Sequence, residues 1–239
     1  MEFPKTNHFD TAVVRAKIMG PNTLKLTEEL MSHACIPSGS VVLDLGSGTG
    51  ISSAMLAREY GLVVYAADLW SDPSENMRFL ESLGLTNRQV VPVKADATQL
   101  PFAHEFFDAV VSIDSYNYYG RDPEFLGACL LPFVKDGGMI HLAFPGMVHD
   151  CHDDLPACLL ASWTPDQLAF MHDMAWWRAI IGRTSGVEIV SMREMECTRE
   201  VWADWLECDN EYARGDRAAV EAGALDYLNT IEVVLRKTR

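Results

Sequence analysis

The chain has 239 residues, 49% of them hydrophobic, enough to bury a core as one domain without disulfide staples. Its 19 Lys and Arg set against 34 Asp and Glu leave a net charge of −15. That balance disfavours nucleic acid and anionic membrane surfaces as partners and mildly favours neutral or cationic small molecules.

No run approaches the ~18 apolar residues of a membrane span, so no stable membrane association is expected. The opening MEFPKTNHFD lacks the basic stretch and apolar core of a signal peptide. The six cysteines, Cys35, Cys129, Cys151, Cys158, Cys197 and Cys208, form no C-x-x-C pair and read as reduced thiols of a cytoplasmic protein.

In chain order, a helix is expected over Asn22 to His33, ended by Ile36-Pro37-Ser38-Gly39. A strand, Val41 to Leu45, runs into a glycine-rich turn and a helix over Ile51 to Tyr60. A second strand, Val63 to Ala67, precedes a helix over Ser74 to Leu83. Gln89 to Lys94 and Phe107 to Ile113 follow as strands, then a helix over Pro123 to Val134 and a fifth strand, Met139 to Phe144. Short, nearly continuous apolar strands alternating with helices predict a parallel sheet covered on both faces. From Pro145 to Arg183 the rhythm breaks into aromatic, helical sequence, with a helix start at Thr164-Pro165-Asp166. Val187 to Met192 returns to strand, Thr198 to Gly223 reads helical, and Tyr227 to Leu235 is a last strand. The helical stretches are expected to form a lid over one end of the sheet within a single domain, 1–239. Its core spans about 36–144, its lid segments about 145–184 and 198–224, and its closing strands 187–192 and 227–235.

The sharpest local feature is VLDLGSGTG, Val42 to Gly50, which sets glycines at 46, 48 and 50 between a strand and a helix. Glycine admits positive φ and lets backbone approach a ligand closely, and strand ends of this kind bind ligands in open α/β sheets. A dinucleotide fingerprint would need its third glycine at Ile51, and no triphosphate-loop lysine is present. Asp44, two residues before the first glycine, would repel a pyrophosphate but suits an ammonium group or hydrogen bonds that order the turn.

With these motifs the chain resembles class I S-adenosylmethionine (SAM)-dependent methyltransferases acting on small molecules, over about residues 19 to 144. The resemblance implies a Rossmann-like α/β fold with a seven-stranded, mostly parallel sheet, helices on both faces, an antiparallel last strand and helical lid insertions. It implies that Asp44, Gly46, Ser47, Gly48 and Gly50 wrap the methionine part of SAM. Asp68, in VVYAADLW, would bind the ribose, where two acceptor oxygens suit two hydroxyls. Leu69 would pack on adenine, with Trp70 beside it, and Asp96 and Ala97, in VKADATQLPF, would hold the adenine amino group. FFDAVVSIDSYNYYG resembles the fourth motif and brings Asp114 to the cofactor. Met19-Gly20-Pro21-Asn22 either folds over the cofactor or is the Asn22 cap of a helix.

Methyl transfer from a sulfonium is an in-line displacement in which positioning does most of the work. A general base is needed only when the acceptor must lose a proton. The transfer point is expected beyond Ile113, with Asp114, Tyr116, Asn117 and Tyr118 around it. His149 and His172 are the candidate bases, giving a catalytic set of Asp114, Tyr116, His149 and His172. The H-x-C-H spacing of His149, Cys151 and His152 matches no structural zinc pattern, and no metal is expected. Trp163, Trp176, Trp177, Trp202, Trp205 and Tyr212 lie outside the cofactor motifs and would suit a flat or cationic acceptor. Tyr118, Trp176, Trp202, Asp209 and Asn210 are the expected acceptor-binding residues.

The expected activity is transfer of a methyl group from SAM, giving S-adenosylhomocysteine, to a small-molecule nucleophile through N, O or S. The chain would work as a monomer or homodimer. The competing expectation is a SAM-binding sensor or accessory protein without transfer activity.

Overall fold

A computed structural model describes residues 2–239. One seven-stranded sheet organises the chain: β1 (Val41–Leu45), β2 (Val63–Asp68), β3 (Val90–Lys94), β4 (Phe107–Ile113), β5 (Val134–Met147), β6 (Val187–Glu194) and β7 (Leu228–Lys237), in the order β3-β2-β1-β4-β5-β7-β6. The first five strands pair in parallel, and β7 runs antiparallel to both β5 and β6. The expected mostly parallel sheet with an antiparallel last strand is what forms.

The period-2 alternation of each strand divides the core in two. Val42, Val64, Ala109 and Val111 face one layer with helices α1 (Thr11–Lys17), α2 (Thr23–Ser32), α3 (Ile51–Tyr60), α4 (Pro73–Ser82) and α9 (Thr198–Leu206). Leu43, Leu45, Val110 and Ile140 face the other layer, with Tyr116 of α5 (Tyr116–Tyr119) and Trp177 of α8 (Met174–Ile181). Fully buried leucines such as Leu24 and Leu30 each contribute about 1.5–3 kcal/mol of transfer free energy. A third, smaller cluster joins Met147 at the end of β5 and Leu228 at the start of β7 to α6 (Ala157–Leu160), α7 (Pro165–Leu168) and α10 (Glu211–Glu221). The helical insertions therefore gather at the end of the sheet where β1, β2 and β4 also finish.

Local signals set several boundaries. Asn22 accepts the N–H groups of Leu24 and Lys25 and starts α2, and Thr164 with Gln167 forms a reciprocal capping box on α7. Two expected helices differ. The stretch expected as a helix from Pro123 to Val134 is a π-helical turn, Leu126–Leu130, followed by a 3-10 turn, Leu131–Phe133. Pro132 lacks the N–H that an α-helix would need there. The stretch from Thr198 to Gly223 is not one helix, because Asn210 takes the Ala213 N–H and starts α10 afresh. The fifth strand is also longer than its apolar run, because β7 pairs with it from Met139 through Met147.

Candidate cofactor and acceptor site

A cavity of about 510 Å³ opens at the carboxyl ends of β1, β2 and β4. Its floor is the glycine turn. Gly46, Gly48 and Gly50 have φ of +76°, +52° and +85°, a region that side chains with a Cβ rarely occupy. A Cβ at Gly46 would collide with Ser115 Oγ. Three hydroxyls, from Ser112, Ser115 and Tyr119, converge on the Leu45 carbonyl at 2.9, 2.9 and 3.3 Å. They lock the exit of β1 to that of β4.

Asp68 organises the second wall. Its Oδ2 accepts the Gly48 N–H at 2.9 Å, and its Oδ1 accepts the Trp70 and Ser71 N–H groups at 2.8 Å each. One carboxylate thus holds both the glycine turn and the turn after β2, with one of its roughly four acceptor positions to spare. Asn76 Nδ2 donates to the Gly48 carbonyl at 2.8 Å. Asp96 uses Oδ1 for the Thr98 N–H and hydroxyl. The bonds from Thr98 hold its carboxyl below the usual range.

The third wall comes from the segment before α2. Thr49 Oγ1 donates to the Lys17 carbonyl at 2.7 Å, which ties this segment to the glycine turn. Met19 and Gly20 line the cavity, and a Cβ at Gly20 would overlap Asp114 Oδ2. Of the two readings of Met19-Gly20-Pro21-Asn22, the cap is seen, since Asn22 starts α2, and Met19 and Gly20 line the cavity.

Asp114 ends β4 with φ of +57°, a conformation that Asp and Asn tolerate better than other side chains. Its carboxylate lines the cavity. Burial, and secondarily repulsion from Asp216, pushes its carboxyl up to about 7. Asp216 of α10 is fixed by two indoles: Trp163 Nε1 donates to Oδ1 and Trp205 Nε1 to Oδ2, each at 2.8 Å. Nothing in the local sequence marks Asp216. Its part emerges only when α10 folds back over Trp163 and Trp205. Tyr118, 58% exposed, also lines the cavity.

Of the residues expected at the site, Gly46, Ser47, Gly48, Asp68, Leu69, Asp96, Ala97, Asp114 and Tyr118 line this one cavity. Lys17, Thr23, Thr49, Ser115 and Tyr119 join them, and sequence reasoning did not single these out.

The others lie elsewhere, for identifiable reasons. Asp44 shares the α3 face of β1, where its Oδ2 accepts Ser52 and Ser53 hydroxyls at 2.6 Å. Burial raises its carboxyl to about 6 against those bonds. Asp44 braces the helix behind the glycine turn, and Gly50 caps that helix. Tyr116 is fully buried among Phe125, Phe144 and Trp177, and its neighbour Asn117 is buried too. His149 is exposed away from the cavity. His172 stacks on Trp176 with ring centroids 3.7 Å apart and bonds to Asp150. Trp202 is core, against Trp163. Asp209 pairs with Arg214 in solvent, and Asn210 caps α10.

The cavity fits SAM. Glycines leave room at the turn, Asp68 and Asp96 present carboxylate oxygens, Leu69 and Met19 offer apolar contact, and the lining carboxylates favour a sulfonium. An α/β sheet of this order, with a glycine turn after β1 and an acid at the end of β2, agrees with the resemblance to SAM-dependent methyltransferases. Residues 43–142 match the family model described as "Methyltransferase domain".

Among curated proteins the chain is 36% identical over 92 residues to "Methyltransferase GfsG" of Streptomyces halstedii, a match covering 38% of this chain and 33% of that protein. The matches span about a third of the length of these curated relatives. Among solved structures, phosphoethanolamine N-methyltransferase 2 of Haemonchus contortus in complex with SAM superposes with a TM-score of 0.72. The identity is 19%, over 100% of this chain and 60% of that one. Geranyl diphosphate C-methyltransferase of Streptomyces coelicolor A3(2) superposes with a TM-score of 0.69 and 17% identity, over 90% and 77% of the two chains. These likenesses are of fold. No helix among the described residues is long and apolar enough to cross a membrane.

Proposed function

We propose that the chain transfers the methyl group of SAM to a small-molecule acceptor whose nucleophile sheds a proton, a hydroxyl or a protonated amine, with Asp114 as the base. SAM, when bound, supplies an activated methyl on a good leaving group. Gly46, Ser47 and Gly48 would hold its methionine portion, Asp68 its ribose, and Leu69, Asp96 and Ala97 its adenine. Asp44 and Gly50 act behind them by fixing the turn and its helix.

The observation that carries this reading is the Asp114 carboxyl. It faces the cavity from the end of β4, and burial beside Asp216 brings it to about 7. A base is most effective when its pKa lies near the working pH. Deprotonated Asp114 would accept the acceptor's proton while the cavity walls align nucleophile and methyl at ~3–3.5 Å. Tyr118, beside it and half exposed, would position the acceptor. The −15 charge and the aromatic helices at this end favour a small neutral or cationic acceptor over nucleic acid.

The test is incubation of the purified protein with SAM and a panel of alcohols, phenols and amines, with S-adenosylhomocysteine as readout. Formation of that product in wild type, and its loss by ~10²-fold or more in Asp114→Asn with SAM affinity retained, is expected. Binding of SAM without product for any acceptor would point instead to a sensor or accessory protein.

A further inference from the structure

A second group of side chains converges outside the cavity. Asp150 and His152 lie where the chain leaves β5, and His172 lies just before α8. The Met147 N–H donates to the His172 carbonyl at 3.1 Å, joining the two segments. The Asp150 carboxylate sits between two imidazoles, with Oδ1 2.6 Å from His152 Nδ1 and Oδ2 2.9 Å from His172 Nδ1.

The hydrogen-bond logic of His152 calls for a cation. Its Nε2 is 3.1 Å from the Leu168 carbonyl oxygen, which can only accept, so Nε2 carries a proton and donates. In the neutral ring Nδ1 then presents a lone pair to Asp150. Asp150 offers that lone pair only its Oδ1, a carboxylate oxygen on a part-exposed side chain. Two acceptors 2.6 Å apart need a positive charge between them. One proton on His152 Nδ1 can supply it, with His172 donating from a neutral Nδ1–H, and so can a metal ion shared by the two rings, whose centroids are 4.7 Å apart. A single divalent ion satisfies the carboxylate and both imidazoles at once.

We infer that Asp150, His152 and His172 form a binding site for a divalent transition metal of the zinc class. One donor atom from each lies within 4.8 Å of the others, and small side-chain rotations bring them to the ~2.0–2.2 Å that zinc requires. Two imidazoles and one carboxylate suit zinc or cobalt better than magnesium or calcium, which take oxygen ligands. The supporting contacts are in place. The Leu168 carbonyl fixes the His152 tautomer, and the stack on Trp176, with rings inclined by 9°, fixes the His172 plane. Such outer contacts orient metal ligands.

Asp150 is exposed, which leaves the remaining coordination position to water. The ion would staple the exit of β5 to the segment bearing Phe170. That ring lies 5.2 Å from Tyr118 and beneath the Arg121 guanidinium. No ligand of this site lines the cavity, so the inference stands apart from the methyl-transfer reading.

The experiment is titration of chelator-treated, folded protein with Zn2+ by calorimetry, and with Co2+ by visible spectroscopy. Wild type should bind one ion per chain. Its affinity should fall at least tenfold in His152→Gln and in His172→Gln, and stay unchanged in His104→Gln, which alters an exposed histidine elsewhere. Circular dichroism confirms that each variant is folded. The Co2+ form should show d–d bands without a thiolate-to-cobalt charge-transfer band. Equal binding by wild type and both site variants would overturn the inference, as would no binding or a charge-transfer band marking cysteine ligation.

Discussion

Asp114→Asn separates the chemistry of the site from its energetics. The substitution is nearly isosteric, and Asn tolerates the +57° φ of this position. In the folded chain the carboxyl sits at about 7 against an ordinary 3.8. Folding therefore favours its protonated form, and at 1.36 kcal/mol per unit the charged form costs at most about 4 kcal/mol above pH 7, less what water in the cavity returns to a part-buried carboxylate. Because the folded value is raised, stability is highest below pH 4 with respect to this group and declines as pH rises to 7. Asp114→Asn removes that penalty, less the amide's own desolvation, for a net gain that stays below about 4 kcal/mol at pH 8. In a chain of this size each kcal/mol moves the unfolding midpoint by about 2–4 °C. Scanning calorimetry without SAM should show the Asp114→Asn variant melting later than wild type at pH 8, with roughly half that gain left at pH 5.5. Turnover should meanwhile fall by ~10²-fold or more. An unchanged midpoint at pH 8 would refute the buried, repelled carboxylate, and unchanged turnover would refute its role as base.

Four further outcomes follow from the geometry. Asp68→Ala strips the acceptor from three backbone N–H groups and should weaken SAM binding by at least tenfold in calorimetry. Asp216→Ala leaves the Trp163 and Trp205 indoles without their acceptor and should cost about 2–4 kcal/mol in urea unfolding; a loss under about 0.5 kcal/mol would count against the clamp. His141, buried in β5 with neither ring nitrogen bonded, is held down to about 4 by burial. Stability should therefore fall as pH drops from about 6.5 toward 4, by up to ~3 kcal/mol, and His141→Leu should abolish that component. Gly46→Val introduces a side chain at positive φ against Ser115 and should abolish SAM binding, as read by loss of the SAM-dependent rise in melting temperature.

The lining of the cavity by the glycine turn and the acids was legible because its signals are local. The glycines after β1 and the acids after β2 and β3 sit at strand ends, and a strand end can be read from a short apolar run. The fate of the expected acceptor residues was not. Asp209 and Asn210 stood out chemically, yet one pairs with Arg214 in solvent and the other caps a helix, a use that the N-cap preference of Asn foreshadows. Asp216 had no distinguishing neighbours in the chain, because its partners, Trp163 and Trp205, are 53 and 11 residues away. Tyr116 and Trp202 illustrate the same limit. Their chemistry suited a pocket, and the packing of α5 and α9 made them core. In the same way, sequence grouped His152 with His149 and Cys151, whereas folding groups it with Asp150 and His172.

The division of labour across the sheet has a bearing on engineering. The turn that would hold the cofactor is braced from β1, β2, β4 and the segment before α2, whereas α6 to α8 and α9 to α10 enter the chain as excursions between β5, β6 and β7. Exchanging α6 to α8 alone, with Trp163 kept for Asp216, leaves the bracing of that turn in place, whereas α9 has to stay because the Val201 carbonyl and Asp204 hold Asn22 next to Met19 and Gly20.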